Sequence, residues 1–394
     1  MFISIKKISQ PLKPENLTNK LQFITYMQAR NIATNFISML KSTKNVAFLY
    51  QVQTPPPKDG IVKPMKPGGY SDSGADIGYA LKKHGINVIT PVENPAVEKN
   101  LDWVFPDTNE GIQKAISQGA NTLWLNTILY DGHPVEKFIN EGVAVVGQEP
   151  ALVDIYDDKY VTNELLKKNG LPIPPSVLIS NDNLKSYKID FAFPVVAKPI
   201  RGRGSEGVVL VKEEGELTKV LEDMFAADKF GTTVYVEQYL PGQEITITVM
   251  PPGVYQTKPG EEKKDSHWSL PSVKRFNHQN GIAPYNGIVA VINNSKVLDE
   301  QELESEQIKK VARECEQAAK LVSAKAPIRI DCRADANGDY YLFDLNMKPN
   351  MTGASRPHRQ DQDSLSALAA RGIGWSFTDL LVNMLGQAWT KSGK

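Results

Sequence analysis

The run IRIDCRADANGDYYLFDLNMKPN, residues 328–350, limits what the chain can fold into more than any other stretch. Asn337-Gly338 sits between two alternating runs, the strongest short-range sign of a β-hairpin, and a two-residue turn there fixes the register on both sides. The pairing expected is Ile330 with Leu345, Cys332 with Phe343 and Ala334 with Tyr341, an apolar face suited to a core. The opposite face pairs Arg329 with Asn346 and Asp331 with Asp344. Like charges directly opposed, roughly 5 Å apart, destabilise a sheet unless something neutralises them. A hard divalent cation does so. Asp331, Asp344 and the amide oxygen of Asn346 make a sparse oxygen set of the kind that holds Mg²⁺ while leaving positions for phosphate oxygens and water. The alternative is an exposed polar face with tolerated repulsion. Arg329, next along, suits a phosphoryl group or a developing oxyanion.

Elsewhere the chain alternates. VAFLYQV (46–52) reads as a buried strand, followed by a Pro/Gly-rich loop to Gly69 and a helix from about Ser73 to His84 that ends at Gly85. Short apolar runs at 87–90, 101–105, 122–125 and 143–146, with a helix at 110–118, predict a parallel sheet covered on both faces. A helix from Asp157 to Asn169 is closed by Gly170, and LPIPP (171–175) reads as a linker. Asp157 and Asp158 read as helix amino-terminal residues. After the linker the pattern turns antiparallel, at 195–198, 207–212, 233–238 and 244–250. Leu303, Ile308, Val311, Ala312, Cys315, Ala319 and Val322 share one face of a single long amphipathic helix. The fold class is α/β.

The chain has 394 residues, with Lys plus Arg equal to Asp plus Glu at 45 each. No global field therefore draws it to nucleic acid or anionic lipid. Two cysteines exclude a disulfide framework and suit a reducing, cytoplasmic setting, and no apolar run reaches membrane-spanning length. Residues 1–43 differ: Lys6, Lys7, Lys13, Lys20, Arg30 and Lys41 face a single acid, Glu15. They read as a basic helical extension packed on the body, with an organelle transit peptide as the alternative.

RGRGSEG (201–207) contains Gly-x-Gly-x-x-Gly, which is weak on its own. A dinucleotide fold needs a helix after it, and here the strand VVLV follows. A P-loop motif is absent, as are the His-Arg-Asp and Asp-Phe-Gly tripeptides of a kinase. What remains is a hairpin, FPVVAKPIRGRGSEGVVLV, in which Lys198 and backbone N–H groups can meet a polyphosphate, or else a solvated turn. His267, His278 and His358 lack metal or triad spacing and read as surface or loop residues.

A lysine before a glycine-rich hairpin, the acidic strand end VYVEQYLPGQE, and RID followed across a hairpin by DLN together resemble the ATP-grasp superfamily. Within it, the chain is most similar to D-alanine–D-alanine ligases, from about residue 44 to the end. The resemblance implies three domains: an N-terminal α/β domain (44–150), a central subdomain (151–245) and a C-terminal subdomain with the metal site (246–394), with ATP between the last two. It implies that Lys159 and Lys198 bind phosphates, that Ser205 and its loop cover them, that Glu237 and Leu240 hold adenine, and that Glu244 binds ribose. Asp331, Asp344 and Asn346 match the Mg²⁺ ligands, for one or two ions replaceable by Mn²⁺, and Arg329 the arginine facing the tetrahedral intermediate. Lys274 matches a lysine at the γ-phosphate and Ser355 a substrate contact.

Departures bear on substrate. GGYSDS approaches the family's Gly-Gly-x-Ser-x-Glu, but Ser73 replaces the glutamate that anchors the substrate amine, with Asp72 as a substitute. Asn350 stands where the family has a glycine facing the oxyanion. GASRPHRQDQDSLSALAA is longer than its family counterpart, and Arg356 and Arg359 in it either bind a substrate carboxylate or lie in a solvated loop. The expectation is an ATP-dependent ligase joining a carboxylate to an amine, both amino-acid-like, through an acyl phosphate, with 259–287 as a lid over the intermediate. The resemblance also implies a homodimer. The competing possibilities are a D-alanine–D-alanine ligase proper, a silent ATP-binding module, and acyl transfer to a thiol or bicarbonate.

Overall fold

The computed structural model describes residues 36, 38–63, 65–202, 206–227, 229–257, 260–283 and 290–391. Its first sheet is parallel. The strand β1 (Asn45–Tyr50) pairs along one edge with β2 (Asn87–Val88) and β3 (Val104–Pro106), and along the other with β4 (Thr122–Asn126), which carries β5 (Ala144–Val146). Val46 to Leu49 are fully buried, as a central parallel strand covered on both faces requires. The helix Ser71–Lys83 lays Ala75, Ile77 and Leu81 on this sheet. Residues 38–43 are helical, and Phe36 and Leu40 join the same core. The rest of the basic extension and any targeting role lie outside the described residues.

The second sheet is antiparallel: β6 (Ser176–Ser180), β9 (Thr233–Gln238), β7 (Val195–Pro199) and β8 (Val209–Val211), in that spatial order. The helix Glu214–Ala226 buries Leu217, Leu221 and Met224 against it, giving this sheet a hydrophobic cluster of its own. After β10 (Glu244–Met250) comes the hairpin of β11 (Gly253–Thr257) and β12 (Gly260–Lys264). The third sheet runs β15 (Ser295–Val297), β14 (Val273–Arg275), β10, β16 (Ile328–Ala334) and β17 (Tyr340–Asn346), with β13 (Trp268–Ser269) also on β10. Residues of the first and third sheets share one cluster, in which Leu49, Phe105 and Leu123 meet Ile245, Ile330 and the helix residues Val311 and Cys315.

The expected long helix is two. Glu300–Leu303 is closed at its start by a capping box of Asp299 and Glu302, and Ser305, in extended conformation, opens Glu306–Leu321. The segment 259–287 is no simple lid, because its described part includes three strands, one of which, Val273–Arg275, pairs with β10. Among its described residues, Arg275, Gly281, Ile282 and Ala283 turn to the cavity described below.

The hairpin departs from the expected register in two places. Ala334 faces Tyr340 and Cys332 faces Leu342, while Asp331 still faces Asp344 and Arg329 faces Asn346. The turn is one residue longer than two: Asp335 and Asp339 are bridged by a backbone hydrogen bond of 2.9 Å, and Gly338 takes φ 88°. This is the three-residue loop with a left-handed glycine. A bulge at Phe343 absorbs the extra residue, so the two shifts cancel before Asp344 is reached.

Candidate active site

A cavity of about 620 Å³ opens where the three sheets meet. Lys159, Lys198, Glu237, Leu240, Glu244, Arg329, Asp331, Asp344, Asn346, Asn350 and Asp72 all line it. The alternation of each strand selects them. On β16 Arg329, Asp331 and Arg333 look inward, while Ile330 and Cys332 are buried on the other face.

The opposed carboxylates are each met by a cation. Lys159 Nζ lies 2.5 Å from Asp344 Oδ1. Arg329 donates to both oxygens of Asp331, at 3.2 and 3.1 Å, and Thr246 Oγ1 donates to it at 2.7 Å. Burial alone would raise the Asp344 carboxyl, but Lys159, Lys198 and Arg329 outweigh it and hold it below the usual carboxylate range. Burial opposes the Lys159 charge in the same way, and Asp344 reverses this and raises its pKa.

Lys198, 4% exposed, bonds Glu237 Oε1 at 2.5 Å and the carbonyl of Phe343 at 3.1 Å. That carbonyl belongs to the bulged residue, outside the strand ladder. Burial raises the Glu237 carboxyl, which Lys198 only partly offsets. Glu237 Oε2 is buried with no hydrogen-bond partner among the described residues, which marks it as an acceptor for a bound donor. Glu244 Oε2 lies 2.9 Å from His278 Nε2 and 3.5 Å from Arg333, so the loop residue His278 stands behind a cavity carboxylate without lining the cavity itself. Arg333 also donates to Tyr239 Oη at 2.8 Å and to the Gly281 carbonyl at 2.7 Å.

Lys66 and Tyr70 come from the loop at the carboxyl end of β1, Asp72 from the first turn of the helix Ser71–Lys83, and Lys348 from the segment after β17. Lys348 Nζ stands 3.3 Å from the centre of the Tyr70 ring, with Lys66 Nζ at 5.3 Å. Gly68, Gly69 and Tyr70 all have positive φ. At Gly69 this is obligatory, because a Cβ there would stand 1.8 Å from the Gln51 carbonyl oxygen. Asp72 bonds Lys66 at 3.1 Å and Arg359 at 3.3 Å.

Four expected site residues lie elsewhere. Lys274 is on the outer face of β14 and pairs with Glu302 at 3.0 Å; its neighbour Arg275 faces the cavity. Ser73 is fully buried, donating to the Tyr70 carbonyl at 3.1 Å and accepting from Asn126 at 3.0 Å. Ser355 donates to the Asp76 carbonyl at 2.9 Å. Arg356 is 0% exposed and bonds Asp76 Oδ1 at 2.8 Å, Asn100 Oδ1 at 2.8 Å and the carbonyls of Val97 and Asp72. The long segment is therefore a clasp between the carboxyl-terminal part and the helix Ser71–Lys83, not a solvated loop. Ser205 lies outside the described residues. Sequence reasoning missed Lys66, Tyr70, Arg275, Arg333 and Lys348, for which only strand alternation around Lys274-Arg275 gave any local signal.

A family model described as D-ala D-ala ligase C-terminus matches residues 165–386, more than half of the chain. The chain belongs to the D-Ala-D-Ala ligase family. A D-alanine–D-alanine ligase of Francisella philomiragia subsp. philomiragia is 27% identical over 231 residues, covering 59% of this chain and 67% of that protein. One from Trichlorobacter lovleyi is 26% identical over 240 residues, with 60% and 67% covered. The D-alanine–D-alanine ligase of Bacillus anthracis, solved in complex with ATP, superposes with a TM-score of 0.58 at 16% identity over 88% of this chain and 97% of its own. The VanG D-Ala:D-Ser ligase of Enterococcus faecalis gives 0.59 at 16% identity over 87% and 99%. These likenesses show that this ligase-family chain has the ATP-grasp fold. Among its described residues no helix is long and apolar enough to cross a membrane.

Proposed function

We propose that the cavity carries out the family's chemistry with the side chains named above. The chain is an ATP-dependent, ADP-forming ligase that joins a carboxylate to an amine and yields an amide or dipeptide. In our reading Lys159 and Lys198 meet the ATP phosphates, Glu237 and Leu240 the adenine, and Glu244 the ribose. The observation that carries this is the opposition of Asp331 and Asp344, each compensated by a cation, on one wall of a cavity that also holds Lys198.

Asp331, Asp344 and Asn346 are hard oxygen donors on one face of the β16–β17 hairpin and fit Mg²⁺. Among the described residues no group of three or more His, Cys, Asp or Glu side chains forms a closed metal site; a set of two carboxylates and an amide agrees with an ion that keeps water and phosphate oxygens as ligands. When bound, Mg²⁺ supplies charge neutralisation on the β- and γ-phosphate oxygens.

A substrate carboxylate oxygen attacks the γ-phosphorus, the bond to the ADP oxygen breaks, and an acyl phosphate forms. Lys159, Lys198 and Arg329 offset the charge on the transferring group. The second substrate's amine adds to the carbonyl and gives up a proton to solvent, Arg329 holds the oxyanion, and the C–O bond to phosphate breaks to leave amide and phosphate. No protein nucleophile takes part. The substrates are amino-acid-like, the setting is cytoplasmic, and the active form is a homodimer. In this reading the domain boundaries lie near 150 and 245, and ATP lies between the second and third sheets.

The test is a phosphate-release screen over pairs of amino acids, with mass spectrometry of the products. Release that depends on both an amine and a carboxylate, with an amide product, is the expected result. Binding of ATP without such release points to a silent nucleotide-binding module, and a thioester or carboxylated product to another ATP-grasp chemistry.

A further inference from the structure

The first arginine of the glycine-rich turn, Arg201, has no part in the chemistry above, yet it is 7% exposed and ringed by carboxylates. Its Nε lies 3.3 Å from Asp59, one terminal nitrogen 3.9 Å from Asp154 and 3.8 Å from Asp157, and the other 3.5 Å from Asp158. It also donates to the Asp154 carbonyl at 3.0 Å. Lys58 pairs with Asp154 and Lys63 with Asp157, so three cations face four carboxylates. No aliphatic or ammonium side chain could meet groups arriving from so many directions as a planar fork does.

Those carboxylates come from different parts of the molecule. Asp59 belongs to the loop after β1, which carries Lys63 and Lys66 onward to the cavity. Asp154 lies in the helix Pro150–Tyr156, and Asp158 caps the helix Lys159–Lys168 by accepting from Val161 N–H at 3.0 Å. Arg201 itself lies three residues beyond Lys198, and the Lys159 N–H donates to the Ile200 carbonyl at 2.9 Å. The second sheet has its own core, and beside this hub a small cluster of Ile61, Ile200 and Tyr235 joins it to the loop after β1.

We propose that Arg201 is a positioning residue for the nucleotide end of the cavity. It clamps the end of β7, which bears Lys198, to the cap of the helix that begins with Lys159, and both to the first sheet's loop. The two lysines are thereby held at a fixed separation before ligand arrives. This inference rests on the assignment of Lys159 and Lys198 to ATP phosphates.

The experiment measures binding of the non-hydrolysable analogue AMP-PNP with Mg²⁺ by titration calorimetry, and Tm without ligand, in the full chain. Arg201→Lys keeps the charge and loses the fork; its AMP-PNP affinity falls about tenfold, as a small misplacement of binding groups produces. Asp158→Asn, which retains a capping side chain, weakens binding in the same direction. Should Arg201→Lys fail to fold, Asp59→Asn carries the test, because that carboxylate is half exposed; about threefold weaker binding is expected, being one contact of several. Lowered Tm with unchanged AMP-PNP affinity in the folded variants overturns the inference and leaves Arg201 a purely structural residue. Failure of the wild-type chain to bind AMP-PNP overturns the nucleotide assignment itself, and this inference with it.

Discussion

Lys159 Nζ and Asp344 Oδ1 stand 2.5 Å apart although 185 residues separate them, so the helix after the first sheet is tied directly to the last hairpin strand. The pair joins the side chain assigned to phosphate and the side chain assigned to the metal. Asp344→Ala is expected to lower turnover by at least ~10³-fold, the scale of losing a main electrostatic contact at the reacting group, while circular dichroism shows a retained fold. Near-normal phosphate release would remove Asp344 from the metal site.

The same pair sets a pH dependence of stability. The folded-state pKa of Asp344 is below its unfolded value. Its contribution is present above an unfolded pKa of about 3.9 and disappears as pH falls through the lower folded value. Lys159 is raised, so its contribution is complete below about pH 10.4 and is lost as pH rises through the folded value. Urea unfolding of Asp344→Asn from pH 2 to 7 should give a shallower acid limb than wild type. An identical slope would show that the carboxylate is not held low.

Arg356 and Asp76 are each fully buried, and both sides of the pair belong to the clasp. Asp76→Asn is expected to cost about 3–5 kcal/mol, the range for breaking a buried ion pair. Differential scanning calorimetry would register it as a lower Tm. A substrate role for Arg356 predicts the reverse: unchanged Tm and a raised KM for the carboxylate substrate.

Lys274 and Arg275 are adjacent and face opposite ways. Lys274→Ala should leave kcat/KM within about twofold, because a partly exposed pair such as Lys274–Glu302 contributes ~0–1 kcal/mol and touches no ligand. Arg275→Ala should reduce kcat/KM by more than about tenfold, as expected for a buried cationic group lining the reaction cavity. Equal losses in the two variants would place Lys274 back at the phosphates.

Much of this was legible in the chain because it is written locally. The parallel sheet follows from short apolar runs separated by helices, and the Asp331–Asp344 opposition from a turn dipeptide and alternation. The hairpin reading reached the right carboxylate pairing through a turn of the wrong length, since the bulge at Phe343 has no signature in composition. Ser355 and Arg356 are not legible in the same way, because a hydroxyl or guanidinium reads alike in a binding loop and in a buried clasp. Only its partners, Asp76 among them, decide which, and Asp76 lies 280 residues from Arg356 in sequence. Arg201 escaped notice for the same reason: its four aspartates converge only in three dimensions.

The compensation between the turn and the bulge has a practical side. Gly338 has open space where a side chain would project, and the extra residue it helps to accommodate is taken up before Asp344. A change in length at the tip of that hairpin is thus taken up by the bulge before it reaches the carboxylate strand, so the tip and the chemistry are mechanically separate parts of one hairpin.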